Sequence, residues 1–199
     1  MGKKAVDVVL LPDEAMTSKV IEANAELVRK FGKKIVLNKK NCLPHISLAM
    51  VFIDDGDIAD IEGILRSIVK ESSLGDLTIL GVHVSENSAG EKVSAFEVGR
   101  TKELQSLHET IMRRLEPYLG RDVTAEEVND EDVAETTLLW IKNYREKSSF
   151  DKFSPHITIG YGEVSNLPLF PVKFSASKLA LCHLGNHCTC RRVLASVEL

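Results

Sequence analysis

No stretch of these 199 residues approaches the roughly 18 consecutive apolar residues that a membrane-spanning helix needs, so the reading excludes a membrane partner. An excess of positive charge is missing too. Twenty-five Lys and Arg stand against 29 Asp and Glu, for a net charge of −4 and a pI near 5.9. A protein that grips a long phosphate backbone needs a basic track, so duplex DNA is excluded as a partner and a nucleotide or the end of an RNA is the natural one. There is no low-complexity tract and no short-period repeat, which excludes solenoids and disordered arrays. Cysteine is sparse, with four in the chain. Without a Cys-x2-Cys pair, zinc-finger spacing is absent. The start shows no secretory leader, and Val6 stands where a myristoylation site wants Ser or Thr. The expectation is a cytoplasmic protein with reduced thiols, no disulfide framework and a monomeric state.

What the sequence does contain is one short pattern, twice. Residues 44–48 read Pro-His-Ile-Ser-Leu and residues 155–159 read Pro-His-Ile-Thr-Ile, followed by Ala49 and Gly160. Both copies lie in short apolar runs that read as β-strands, where residues i and i+2 share a face. His45 and Ser47 therefore point one way, as do His156 and Thr158, while Ile46, Leu48, Ile157 and Ile159 point into a core. Along a strand the imidazole and the hydroxyl sit roughly 6.5 Å apart, so one can handle a proton while the other donates to an oxyanion.

The rest of the chain frames these two strands. Val6–Leu11 reads as a buried strand, and Asp13 caps a helix whose apolar positions run from Val20 to Phe31 before Gly32 stops it. Lys34–Leu37 reads as a brief extended piece. Leu43–Ile53 is the first motif strand, and Ile58, Ile61, Ile64, Leu65 and Ile68 mark an amphipathic helix. Two strands follow, Asp76–Val84 and Lys92–Val98, joined by the loop Ser85–Glu91. In the first, alternation takes His83 off the core face and onto the sheet surface, with a place lining the cleft as the lesser alternative. Thr101–Leu119 is a helix with a Leu104, Leu107, Ile111, Leu115, Tyr118 stripe and Gly120 past its end; His108 borders the stripe as a packed residue. Arg121–Glu135 reads as an acidic loop or marginal helix, Thr136–Tyr144 as a helix carrying Trp140, and Ser148–Ser154 as a loop whose Phe150 and Phe153 tuck under the domain edge, with base stacking as the lesser alternative. After the second motif and Leu167–Pro171 come the strands Val172–Leu184 and Cys190–Leu199, joined at Gly185-Asn186.

Two His-hydrophobic-Ser/Thr-hydrophobic tetrapeptides, one per half, resemble the signature of the two-histidine (2H) phosphoesterase superfamily. That group includes RNA 2′,3′-cyclic phosphodiesterases, the "2′-5′ RNA ligase" proteins and plant-type cyclic nucleotide phosphodiesterases. The strand leading into a Leu-x-x-Leu-His helix and the terminal hairpin are similar to it as well. The resemblance implies an α+β fold, one domain over 1–199 of two lobes related by a pseudo-twofold axis, with antiparallel sheets lining a central cleft and helices outside. It implies that His45 and His156 are catalytic and that Ser47 and Thr158 bind phosphate. Tyr161 falls where relatives carry an aromatic residue, but simple alternation points it off the His face unless a bulge at Gly160 brings it round.

Two imidazoles facing one cleft suit a reaction that removes one proton and delivers another. Opening a 2′,3′-cyclic phosphate of a nucleotide or RNA terminus has that demand, and the scheme calls for no cofactor and no metal. Two other readings stand beside it. The basic clusters Lys33, Lys34, Lys39, Lys40 and Lys142, Arg145, Lys147, Lys152 lead into the motifs and would suit a 2′-5′ RNA ligase or RNA-processing nuclease. Cys182, His183, His187, Cys188 and Cys190 hold enough soft ligands for a non-catalytic metal- or nucleotide-binding module, although a hairpin would turn alternate residues to opposite sides.

Overall fold

The computed structural model describes residues 2–87, 90–118, 124–165 and 169–199. The helix stop expected at Gly120, the middle of the Ser85–Glu91 loop and the start of the Leu167–Pro171 segment lie outside them. In chain order the elements are β1 (Lys3–Pro12), α1 (Glu14–Phe31), β2 (Ile46–Asp54), α2 (Ile58–Glu71), β3 (Leu77–Glu86), β4 (Lys92–Val98), α3 (Lys102–Arg114), α4 (Glu135–Lys147), β5 (His156–Tyr161), β6 (Val172–Phe174), β7 (Ala176–Leu184) and β8 (Cys190–Glu198). The strands form two antiparallel four-stranded sheets, ordered β2-β1-β7-β8 and β5-β4-β3-β6. This is the α+β, two-sheet architecture expected.

Local chemistry sets the helix boundaries. The Asp13 carboxylate accepts the Met16 N–H at 2.8 Å at the start of α1, and Gly32 ends that helix at a positive φ of 99°. The Thr101 hydroxyl accepts the Leu104 N–H at 3.1 Å at the start of α3. Each helix then buries an apolar stripe, Met16, Val20 and Leu27 on α1 and Leu104, Leu107 and Ile111 on α3.

The two halves exchange helices. The helix that follows β1, α1, packs on β5 of the other sheet, and α3, which follows β4, packs on β2, while α2 covers β7 and β8. Strand for strand, β1-β2 with β7 beyond it matches β4-β5 with β3 beyond it, the relation of a pseudo-twofold pair.

Two expectations need correction. The strand read as Val172–Leu184 is two strands in different sheets, β6 against β3 and β7 against β1. The chain changes sheet at Ser175, whose N–H donates to the Asp13 carboxylate at 2.8 Å and whose carbonyl accepts the Asp13 N–H at 2.8 Å. Lys34–Leu37 forms no strand; a bridge between Asn38 and Cys42 closes the turn there.

Candidate active site

The motif strands β2 and β5 are edge strands, each paired on one side only, and they approach each other between the sheets. His45 lies one residue before β2 and His156 opens β5. Prolines precede both, and their neighbours are pinned: the Leu43 N–H donates to the Cys190 carbonyl at 2.9 Å, and the Val98 N–H to the Pro155 carbonyl at 3.0 Å.

The two imidazoles are held in the same way. His45 Nδ1 lies 2.7 Å from the Leu43 carbonyl and His156 Nδ1 lies 2.8 Å from the Ser154 carbonyl, in each case the residue two before. A carbonyl only accepts, so each Nδ1 carries the hydrogen and each Nε2 is left with a lone pair or a second proton. Burial pushes the pKa of His45 below the usual imidazole range, against the effect of the Leu43 and Cys188 carbonyls, and the charge of His156 adds to the lowering. His156 is more exposed at the surface, yet the protein around it removes enough water to lower it as well, with His83 contributing.

Each motif strand carries a bulge immediately after its hydroxyl. Val9 pairs with Ser47 and Val8 with Ala49, leaving Leu48 without a partner; Ala95 pairs with Thr158 and Ser94 with Gly160, leaving Ile159 without one. The freed carbonyls are taken by the exchanged helices. Asn24 of α1 donates to Ile159 O at 2.7 Å and to Ile35 O at 3.0 Å while accepting the Leu37 N–H at 2.9 Å. His108 of α3 donates from Nδ1 to Leu48 O at 2.7 Å and accepts the Phe150 N–H on Nε2 at 2.8 Å. Gly160 has φ 152°, and a Cβ there would lie 2.9 Å from the Asn24 amide nitrogen, so the bulge and its cap require glycine.

The β5 bulge also turns Tyr161 round. Past it, Tyr161 pairs with Val93, two residues before Ala95, and so shares the face of Thr158 and His156. Its hydroxyl lies 3.1 Å from His187 Nδ1, and the Lys34 ammonium sits 4.9 Å from its ring centre. His83 shares this face too: it pairs with Ala95, which pairs with Thr158. It is exposed on the sheet surface, as read, and on the His156 side of it.

Other expectations sort clearly. His108 is fully buried, stacked 4.0 Å from Phe153, and burial pulls its pKa down to about 4, so it is packed as expected. Phe153 is buried and Phe150 half-buried against the same ring. Three of the basic side chains are bound in ion pairs, Lys34 with Glu91, Lys39 with Glu14 and Arg145 with Glu116. Cys182 and Cys190 form a disulfide across β7 and β8, Cα atoms 5.6 Å apart, where free thiols were expected. Pairing Leu184 with Cys190 and Cys182 with Val193 brings both side chains to one face. His183 bonds the Glu127 carbonyl at 2.9 Å, and among the described residues no three His, Cys, Asp or Glu side chains gather to hold a metal ion.

A cavity of about 390 Å³ adjoins the first motif, lined by Leu11, Thr17, Leu43, Pro44, Ser177 and Ser196 among others. Another, of about 370 Å³ between α1 and the second sheet, is lined by none of the candidate residues.

A family model described as the 2'-5' RNA ligase superfamily matches residues 22–185, which include both motifs. The chain belongs to this superfamily. The fold agrees with it: a Thermus thermophilus protein, TT0787, is similar with a TM-score of 0.59 at 17% identity, over 98% of this chain and 97% of that one. E. coli LigT in its apo form is similar with a TM-score of 0.51 at 11% identity, over 100% of this chain and 99% of that one. No curated protein sequence matches this chain. Membership brings the 2H phosphoesterase class, and no helix among the described residues is long and apolar enough to cross a membrane.

Proposed function

We propose that this superfamily member is a phosphodiesterase that opens 2′,3′-cyclic phosphates of nucleotides or RNA termini, with His45 and His156 as its acid/base pair. The observation that carries the reading is the matched pair of Nδ1-to-carbonyl hydrogen bonds, which leave both Nε2 atoms for proton transfer. One neutral imidazole takes a proton from water as its oxygen bonds to phosphorus. The other, protonated, gives its proton to the ribose oxygen as that oxygen's bond to phosphorus breaks. Ser47 and Thr158 donate to the non-bridging oxygens as charge accumulates there. The cavity beside Pro44 has room for part of a nucleoside.

The same site supports a second reading. A ribose hydroxyl in place of water as nucleophile would make the reaction ligation, and the family's name speaks for it. Turnover of 2′,3′-cyclic mononucleotides, cyclic-phosphate-ended oligonucleotides and ADP-ribose cyclic phosphate, with and without an acceptor RNA, tests both. Hydrolysis that His45→Ala and His156→Ala each lower by about 10² to 10⁴ is the expected result. Product only when acceptor RNA is present would favour ligation, and no turnover of any of the three would refute the proposal.

A further inference from the structure

One ionisable side chain at the floor of the cleft has no part in the scheme above. Asp7 is completely buried, and among the described residues neither carboxylate oxygen completes a hydrogen bond. It lies on the same face of β1 as Val9, the residue that pairs with Ser47. The polar groups facing it across the bulge are the Ser47 hydroxyl and the N–H groups of Leu48 and Ala49. From α4 it faces the Tyr144 hydroxyl and from the turn before β8 the Cys188 thiol, while Cys182, its register partner on β7, is held in the disulfide. Burial raises the pKa of both Tyr144 and Cys188, so neither brings a charge to this pocket.

Pseudosymmetry shows that the fold does not need an acid here. Asp7 follows from Val9 as Val93 follows from Ala95, so the other half fills the equivalent place with valine. An unpaired carboxylate would be expensive in such surroundings, and burial raises the Asp7 pKa from 3.8 to about 8, against the pull of Ser47 and the two N–H groups. At neutral pH the group is a carboxylic acid, a donor.

A serine hydroxyl has one proton to give. Beside an ionised carboxylate it would give that proton inward; beside a protonated one it accepts, and its own O–H is free to point into the cleft. We propose that Asp7 is a positioning residue for Ser47: its carboxyl O–H donates to Ser47 Oγ and thereby directs the Ser47 O–H to the phosphoryl oxygen. The proposal rests on the phosphate-binding role given to Ser47 above.

The test uses the full chain, adenosine 2′,3′-cyclic monophosphate as substrate, and the Asp7 carboxyl carbon resonance followed with pH. Asp7→Asn keeps a neutral donor and should hold kcat/KM within about threefold at pH 7, whereas Asp7→Ala should lose about tenfold. In a Ser47→Ala background the Asp7→Ala change should cost less than about twofold, because the group it positions is gone. Between pH 7 and 9 the wild type should lose about tenfold relative to Asp7→Asn, as ionised Asp7 captures the Ser47 proton. Equal losses in the Asn and Ala variants, or full additivity with Ser47→Ala, would overturn the proposal. The resonance separates this from failure of the functional reading: with no turnover at all, Asp7 should still titrate near pH 8, and higher in Ser47→Ala, which removes a hydroxyl that lowers it. Titration in the usual carboxylate range would refute it on its own.

Discussion

The two motif strands are built alike and are used in different surroundings. Each sits at a sheet edge, each histidine is fixed by the carbonyl two residues back, and each bulge is capped by the helix of the other half. Beyond that frame they diverge. His45 is half-buried, with the Cys188 carbonyl near it and Asp7 sealed beneath Ser47. His156 is exposed, with His83 as a neighbour and Tyr161 turned onto its face. The two halves share the positions that the geometry requires and differ in those that set the environment. The two imidazoles are therefore equal in orientation and unequal in solvation, a difference that the proposed acid and base roles would use.

The sharpest way to break the comparison is to remove one imidazole at a time. His45→Ala and His156→Ala should each lower kcat/KM by about 10² to 10⁴, and the double variant should lose far less than the product of the two losses, because both act in one transition state. A variant with full activity on 2′,3′-cyclic phosphates would end the pairing. Chelators should leave the wild-type rate unchanged.

Ser47→Ala and Thr158→Ala come next, each expected to lower kcat by about a hundredfold or less with little change in melting temperature. Only the Ser47 variant should be insensitive to Asp7. Equal sensitivity of both to Asp7→Ala would erase the difference between the halves.

Smaller effects belong to the bulge caps. Asn24→Ala leaves three backbone groups unpaired and His108→Ala two, so losses of about 1–3 kcal/mol are expected by chemical denaturation, the Asn24 change being the larger. Asn24→Ala should disturb Tyr161, read by its aromatic resonances, more than His108→Ala does.

The last contrast is with pH. His108 titrates near 4 when folded against about 6.5 when unfolded, so the unfolded chain takes up a proton first and stability falls as pH drops from about 6.5 towards 4. Asp7 runs the other way: the folded chain keeps until about pH 8 a proton that the unfolded chain gives up near 4, so stability falls as pH rises across that interval. Thermal melts of His108→Gln and Asp7→Asn should flatten the acid and alkaline sides respectively. For activity, both motif histidines are lowered, and the state with one proton between them is most populated below about pH 6.5, which is where kcat/KM should peak.

The frame was legible in the sequence because alternation and capping are local. The two tetrapeptides, the Asp13 cap and the α3 stripe needed no partner to be read. The bulge that turns Tyr161 was legible only as a condition attached to Gly160. What escaped depended on pairing at long range. Asp7 reads as one polar residue in an apolar run until register places it below Ser47, and nothing near Asn24 announces a carbonyl 135 residues away. The change of sheet at Ser175 was hidden for the same reason, since both flanks are good strand sequence. The disulfide needed the β7-β8 register, which spacing alone does not give.

The position of β7 between β1 and β8 bears on how the protein is made. β1 and β2 leave the ribosome early, but their sheet stays two-stranded until residues 176–198 arrive, and an isolated two-stranded ribbon is marginal in water. The second sheet, by contrast, has its three long strands by Tyr161. Synthesis therefore completes the long strands of the His156 side before the sheet of the His45 side, with the far edge of β1 unpaired until β7 arrives. Chains that stall before Ala176 would carry both motifs and lack a working cleft.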